Sequence, residues 1–445
     1  MTQAKVTEDF LERLFDELFP ICRSIAGEGF RRSLAIFQRN MPLELETVPT
    51  GTTVYDWRVP PEWNIRSAKL TGPDGRVITN FESSTLAVVS YSEPVDRRIS
   101  LAELKPHLHS LPAYPEVIPY VTSYYQRTWG FCLPDRELRA LKEGEYHAYI
   151  DSTFSEDGGV QFGQCVLTGE SSNEILLTSY LCHPSLANNE LSGPLVLLGL
   201  FDRVSRWPRR RFTYRFLLNP ETIGALCYLH CYADHLREKL VSGIVLTCVG
   251  GPSEKLSYKM SRRGDSLVDR TVQYLHANEG SPIEIRPFDP RGGSDERQYC
   301  SPGFNLPVGQ LARTVYGQYA AYHNSMDTKE FMGIGRLVRS IDEIEQILRA
   351  MEAGSHYINL KPYGEPQLGP RGLYPNVNSA ATWTKSNDAL IDAREFLNRL
   401  LMVLSYSDGE HDMMDIAKRC GCKLNGLSGV VKQLESAGLL AHKGF

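Results

Sequence analysis

The sequence predicts an α/β fold: a mainly parallel sheet sandwiched by helices, with an inserted β-rich domain and a C-terminal winged helix-turn-helix. Three observations predict it. Residues 174–350 alternate short apolar runs with stretches of helical periodicity, the pattern of a parallel sheet covered by helices. Residues 46–105 interrupt that texture with prolines, aromatics and turn signals. Residues 387–445 read as three helices and a short apolar tail, the outline of a winged helix. A chain of 445 residues has room for all of these, at roughly 100–200 residues per domain.

Taken in order, residues 7–41 are helical. Phe10, Leu11, Leu14, Phe15 and Leu18 recur at helical spacing, Thr7 suits an N-cap, and Pro20 divides the segment. Val54 to Trp63 is rich in Pro and aromatics. Gly72-Pro73-Asp74-Gly75 is a turn ahead of a strand at Arg76–Thr79, and Leu86–Tyr91 reads as another strand. A helix is expected at Leu101–Leu111, with strands at Tyr146–Asp151 and Val160–Leu167. The body then alternates: strand Ile175–Leu181, helix Pro194–Val204, strand Thr213–Leu218, helix Gly224–Leu236, strand Ile244–Val249, helix Asp265–His276, strand Pro307–Gly309, helix Leu337–Met351. Residues 356–380, rich in Pro and Gly, read as a linker. Residues 381–445 form the winged helix, with helices at Leu390–Ser405, Met413–Cys420 and Leu427–Ser436.

Composition excludes several classes. The net charge of −5 offers no global basic footprint for nucleic acid. From residue 381 onward, eight Lys and Arg meet eight Asp and Glu. A neutral tail cannot neutralise many phosphates, so docking or homo-oligomerisation suits it better than DNA. No run of 18 apolar residues is present, which argues against a membrane span. The first residues hold no apolar signal core, so a cytoplasmic location is expected. The ten cysteines are scattered, several inside apolar segments, as expected of buried free thiols.

Four stretches carry chemistry. The first is Thr178 to Gly193, where a buried strand ends in Cys182-His183-Pro184 and a polar loop with Asn189 and Glu190 leads into a helix. His183 there is a metal ligand or an ordinary loop histidine. In the second, a strand ends in Pro220-Glu221-Thr222-Ile223-Gly224; Glu221 is a general base or caps the next helix. The third is Gly292-Gly293-Ser294-Asp295-Glu296-Arg297, whose Asp295 can ligate, orient a ligand or close an Asx turn. The fourth is Tyr322-His323-Asn324-Ser325-Met326-Asp327, with a second imidazole and an Asp that can hold its far nitrogen or cap a helix.

The order of these stretches resembles the zinc aminopeptidase family that also contains glutaminyl cyclases. The likeness is closer to the subgroup of aminopeptidase-like proteins, on Cys182-His183-Pro184, Asn188 to Pro194, Pro220 to Gly224, Gly293 to Glu296 and Tyr322 to Ser325. That resemblance implies a phosphorylase/hydrolase-like zinc peptidase fold, with a catalytic domain over 1–45 and 106–355 and a small insertion over 46–105. It implies His183, Asp295 and His323 as metal ligands and Glu221 as the base that takes the proton of the attacking water. Two departures stand out. Relatives with two zincs carry a bridging Asp where this chain has Asn189, and a Glu after the base where it has Thr222. Losing both carboxylates leaves one zinc per chain as the expectation, with Glu190 as a replacement ligand.

The expected substrate is a peptide or an amide-containing small molecule. Arg263, Arg297 and Arg262 can pair with a substrate carboxylate, or are ordinary surface charge. The competing readings are a degenerate member that binds a ligand or partner through the same cleft, a DNA-binding regulator, and acyl-transfer or cyclisation chemistry on a metabolite.

Overall fold

The computed structural model describes residues 5–374 and 393–443. The chain divides into two units, Met1–Ser266 with Ile283–Glu345 and Leu267–Pro282 with Gln346–Phe445. The first contains α1 (Glu8–Leu18), α2 (Glu28–Gln38), β1 (Glu44–Pro49), β2 (Glu62–Thr71), β3 (Val77–Asn80), β4 (Val95–Ser100), β5 (Glu145–Ser155), β6 (Gly159–Leu167), β7 (Glu174–Tyr180), α3 (Ser192–Ser205), β8 (Thr213–Asn219), α4 (Ile223–Lys239), β9 (Leu240–Leu246), β10 (Ser257–Lys259), β11 (Glu284–Arg286) and β12 (Val308–Ala312).

Thr7 starts α1 by accepting a hydrogen bond from the Phe10 amide at 3.3 Å, and Leu11, Leu14, Phe15 and Leu18 form its buried face. The central sheet has eight strands in the order β1-β6-β8-β7-β9-β12-β10-β11. Its middle, β8-β7-β9-β12, is parallel, and antiparallel pairs join it to the strands on both sides. Every residue of β7, β8 and β12 is buried, as expected of strands covered on both faces. Glu174 on β7 is buried too, because Arg215 on β8 grips both of its oxygens at 2.8 Å. The crossover helix α3 lies close to the sheet because Gly193 has no side chain. A Cβ there would sit 2.2 Å from Ser179 Oγ and 2.5 Å from Leu246 O.

A second sheet, ordered β3-β2-β5-β4, is antiparallel throughout. The Gly72–Gly75 turn joins β2 to β3, with Gly75 at φ +80°. This module does not end at 105 as expected: its longest strand, β5, comes from 145–155 and pairs with both β2 and β4. Proximity along the chain hid a partner that only the hydrogen-bond ladder reveals. The expected strand at Leu86–Tyr91 is instead a 3₁₀ turn over Thr85–Ala87 followed by isolated bridges. The expected helix at 101–111 is a four-residue helix opened by a Ser100–Glu103 capping box, Pro106 lying in the 3₁₀ turn that follows.

In the second unit, helices Leu267–Glu279, Ala393–Tyr406, Met413–Cys420 and Ser428–Ser436 accompany a three-stranded sheet of Asp408–Asp412, His356–Asn359 and Leu440–His442, with His356–Asn359 in the middle. Residues 356–359 are therefore a core strand of this unit, not the start of a linker. Asp412 caps Met413–Cys420 by accepting the Asp415 amide at 2.8 Å, pairs with Arg270, and Gly421 closes the helix at φ +61°. The remainder of the expected linker from 375, and the expected start of the first winged-helix helix, lie outside the described residues. No described helix is long and apolar enough to cross a membrane.

Candidate functional site

The site forms at the carboxyl edge of β7 and β8, where an open α/β sheet leaves its strand ends free. β7 delivers Cys182 and His183, and Arg23 anchors the turn by donating its Nε hydrogen to the His183 carbonyl at 2.9 Å. Asn189 and Glu190 then lie on one π-helical turn, Ala187–Leu191, immediately before α3. π turns of this kind recur at functional sites. The carboxylate of Asp327 accepts the backbone amides of Asn188 and Asn189 at 2.7 and 2.8 Å and holds that turn in place. Burial lifts the Asp327 carboxyl to about 7.

Glu190 Oε2 lies 2.6 Å from His183 Nδ1, leaving the other ring nitrogen free, 3.7 Å from Glu221 Oε2. The second oxygen of Glu190 is buried with no partner among the described residues, as is the side-chain nitrogen of Asn189. Cys182 Sγ lies 3.6 Å from His183 Nδ1 and accepts the Glu221 amide at 3.3 Å. Cys182, His183 and Glu190 are a group whose ligand atoms lie within 4.8 Å of one another. The His183 and His323 rings are 5.3 Å apart, and Tyr120 packs against both at 5.0 and 5.4 Å.

The electrostatics separate the two histidines. Burial works against an imidazolium at His183, but Tyr120, Cys182 and Glu190 beside it outweigh that, so its pKa lies well above the ordinary value. That surrounding favours a positive charge at this point. Burial and the neighbouring His183 push His323 down to about 3, so its ring is neutral and able to ligate.

The Glu221 side chain is 26% accessible. Ser294 Oγ donates to it at 2.7 Å. Burial lifts its pKa, opposed by His183 and Ser294. Asp295 follows Ser294 directly. Its two oxygens accept the Asn219 side-chain amide at 2.9 Å and the Thr222 backbone amide at 2.7 Å. It thereby shapes the turn that carries Glu221; like His323, whose ring lies 5.3 Å from that of His183, it stands outside the Cys182–His183–Glu190 group. Burial, reinforced by Glu221, lifts its carboxyl to about 7.

Arg263 is exposed, 3.4 Å from Asp265, and Arg262 is exposed and donates to Asn305 at 2.9 Å. Arg297 lies nearer, its charge acting on Glu221 while its Nε donates to the Ser294 carbonyl at 3.3 Å. A cleft of about 270 Å³ opens over Cys182, His183, Glu221 and Thr222, walled by Ile25, Trp57, Tyr124 and Tyr125. Sequence reasoning missed Arg23, Tyr120 and Ser294. Ser294 was within reach of it, lying inside the Gly-Ser-Asp stretch; Arg23 and Tyr120 arrive from segments with no motif of their own.

Comparison with known proteins agrees with this architecture. A family model described as a domain of unknown function (DUF4910) matches residues 12–354, and a winged helix-turn-helix model matches 355–442. A Clostridium acetobutylicum protein named for polysaccharide biosynthesis and an aminopeptidase-like domain is 40% identical over 92% of this chain and 90% of its own. The crystal structure of a C. acetobutylicum protein described as a peptidase superposes with a TM-score of 0.85, at 37% identity, over 98% of this chain and 96% of that one. A zinc aminopeptidase from Bacillus subtilis superposes at 0.54 with 13% identity, over 77% of this chain and 93% of its own, which is likeness of fold.

Proposed function

This chain belongs to the DUF4910 family, an aminopeptidase-like α/β fold followed by a winged helix, and from that premise we propose that it is a zinc-dependent hydrolase of an amide bond. The observation that carries the reading is the grouping of Glu190, His183, His323 and Glu221 at one sheet edge. The donor set fits one zinc ion: a neutral His323 imidazole, a His183 whose Nδ1 meets Glu190 and leaves Nε2 to ligate, and a buried Glu190 oxygen without a partner among the described residues. His183, His323 and Glu190 would hold a zinc ion, which would supply Lewis-acid chemistry at the amide carbonyl and the attacking water. Asp295 supports the site by bracing the Glu221 turn.

The chain's own residues do the remaining work. Glu221, facing the cleft with one oxygen held by Ser294, takes the proton of the attacking water as its oxygen bonds to the carbonyl carbon. As the C–N bond breaks, Glu221 passes that proton to the departing amine. Burial raises the Glu221 carboxyl above its ordinary value, which suits a group that takes a proton and then returns it. Substrates to screen are aminoacyl amides, short peptides and, because the Clostridium relative is named for polysaccharide biosynthesis, acylated amino sugars.

Glu221→Gln is the test. It should abolish amide hydrolysis while elemental analysis still finds about one zinc per chain, as a catalytic site with three protein ligands requires. Unchanged turnover would remove Glu221 from its role. Asn189 and Thr222, which stand where relatives have carboxylates, favour a second reading as a ligand-binding member. Protein that never retains metal, with no activity restored by added zinc, would favour it.

A further inference from the structure

The cleft over Glu221 shares Tyr124 and Tyr125 of its aromatic wall with another cavity. Behind Tyr124 and Tyr125 a second cavity of about 380 Å³ opens, lined by Arg58, Gln126, Arg127, Phe154 and Glu156 among others. At the junction stand Trp57 and Tyr125, 39% and 52% exposed, with rings 5.5 Å apart at 70°, so that they form an open corner.

The corner is held in place by the fold. Trp57 sits on a hairpin in which Val54 pairs with Trp57 and Thr53 with Arg58. The first residue of its turn, Tyr55, has φ +57°, a conformation that tyrosine rarely adopts. Its ring packs edge-on against Phe304 at 5.1 Å and His230 at 6.2 Å, which fixes the hairpin against the sheet-bearing body. Arg127 is likewise oriented, its guanidinium 4.1 Å over the Phe154 ring. Neither the Trp57 indole N–H nor the Tyr125 hydroxyl has a hydrogen-bond partner among the described residues.

We propose that this aromatic corner and the polar cavity behind it are a saccharide subsite, which makes the amide substrate an acylated amino sugar or a short glycan that bears one. The inference rests on the hydrolase reading of the adjoining cleft. A sugar ring presents a flat C–H face and a rim of hydroxyls. The face matches the exposed Trp57 and Tyr125 rings, and the hydroxyls match Arg58, Gln126, Arg127 and Glu156. An apolar peptide side chain would use the rings but make no use of the hydrogen-bonding groups beside them.

The test is calorimetric titration of the full chain with β-1,4-linked di-N-acetylglucosamine and, separately, with a glycyl-phenylalanine peptide. The disaccharide should bind, Trp57→Ala and Tyr125→Ala should each weaken it about tenfold or more, and Trp57→Phe should retain most of the affinity. No disaccharide binding, or binding unaffected by both alanine variants, overturns the proposal. Trp57-dependent binding of the peptide alone overturns it in favour of an apolar peptide subsite. Hydrolysis of alanine p-nitroanilide, measured alongside, separates the two readings. Hydrolysis without saccharide binding removes only the subsite; Trp57-dependent saccharide binding without hydrolysis of any amide supports the subsite and removes only the hydrolase.

Discussion

Thr222 and His323 at the site hold positive φ without being glycine, as do Ser185, two residues after His183, and Cys248, whose thiol lies 3.9 Å from Asn189 Oδ1. Such conformations cost about 1–3 kcal/mol each and persist only where the surroundings over-determine them. At Thr222 the constraint is visible: its amide and the Asn219 side chain both donate to Asp295. That arrangement separates two roles for Asp295. If it braces the Glu221 turn, Asp295→Asn keeps the metal but lowers turnover by up to about a hundredfold, the cost of misplacing a catalytic group by an ångström. If it is a ligand, as the family resemblance implies, the same variant loses zinc. Elemental analysis beside a rate measurement decides.

At the scale of elements, the buried Glu174–Arg215 pair ties β7 to β8, with His235 at 2.9 Å and Gln164 at 2.7 Å completing it. Removing one partner leaves a buried charge alone. Arg215→Ala should therefore cost about 3–5 kcal/mol in denaturant unfolding, and a Glu174→Leu/Arg215→Met double variant distinctly less. Burial would raise the Glu174 carboxyl, but Arg215 and His235 together hold it below the ordinary carboxylate range. A depressed carboxylate contributes stability above its unfolded pKa, about 4.3, and loses it as pH falls through the lower folded value. The melting-temperature gap between wild type and Glu174→Gln should thus be widest at neutral pH and close on acidification below about pH 4. Gly193→Ala tests the helix that carries the π turn. Its methyl has no room beside Ser179 and Leu246, so a loss of about 1–3 kcal/mol and a weakened metal site are expected, read by melting and zinc titration.

At the scale of the molecule, metal and fold are linked. A zinc ion bound only by the folded state stabilises it by mass action. Adding zinc to chelator-treated protein should raise the melting temperature of the wild type and leave His183→Ala and His323→Ala unchanged. A rise in those variants would place the metal elsewhere. The C-terminal winged helix belongs to a unit whose net charge from residue 381 onward is zero. Duplex DNA titrated at low salt should show no salt-dependent affinity; a steep salt slope would reverse the docking interpretation of this domain.

Much of this was legible in the chain because it is local. The apolar runs of β7 and β8, Thr7 before α1 and the placement of His183 and Glu221 just past strand ends are each written in a few neighbouring residues. The polar neighbours of the site were not. The motif of Asp295 leaves its role open and the family resemblance implies a ligand, but neither names the partners of its oxygens, Asn219 and Thr222, contributed by β8 and the turn after it. β5 joins the small sheet from 145–155, far beyond the segment whose composition announces it. Arg23 and Tyr120 reach His183 from segments that carry no metal motif. The physical reason is the same in each case: periodicity and turn chemistry report what a residue does within its own element, whereas a hydrogen-bond partner across the sheet edge is chosen by packing that only the folded chain brings together.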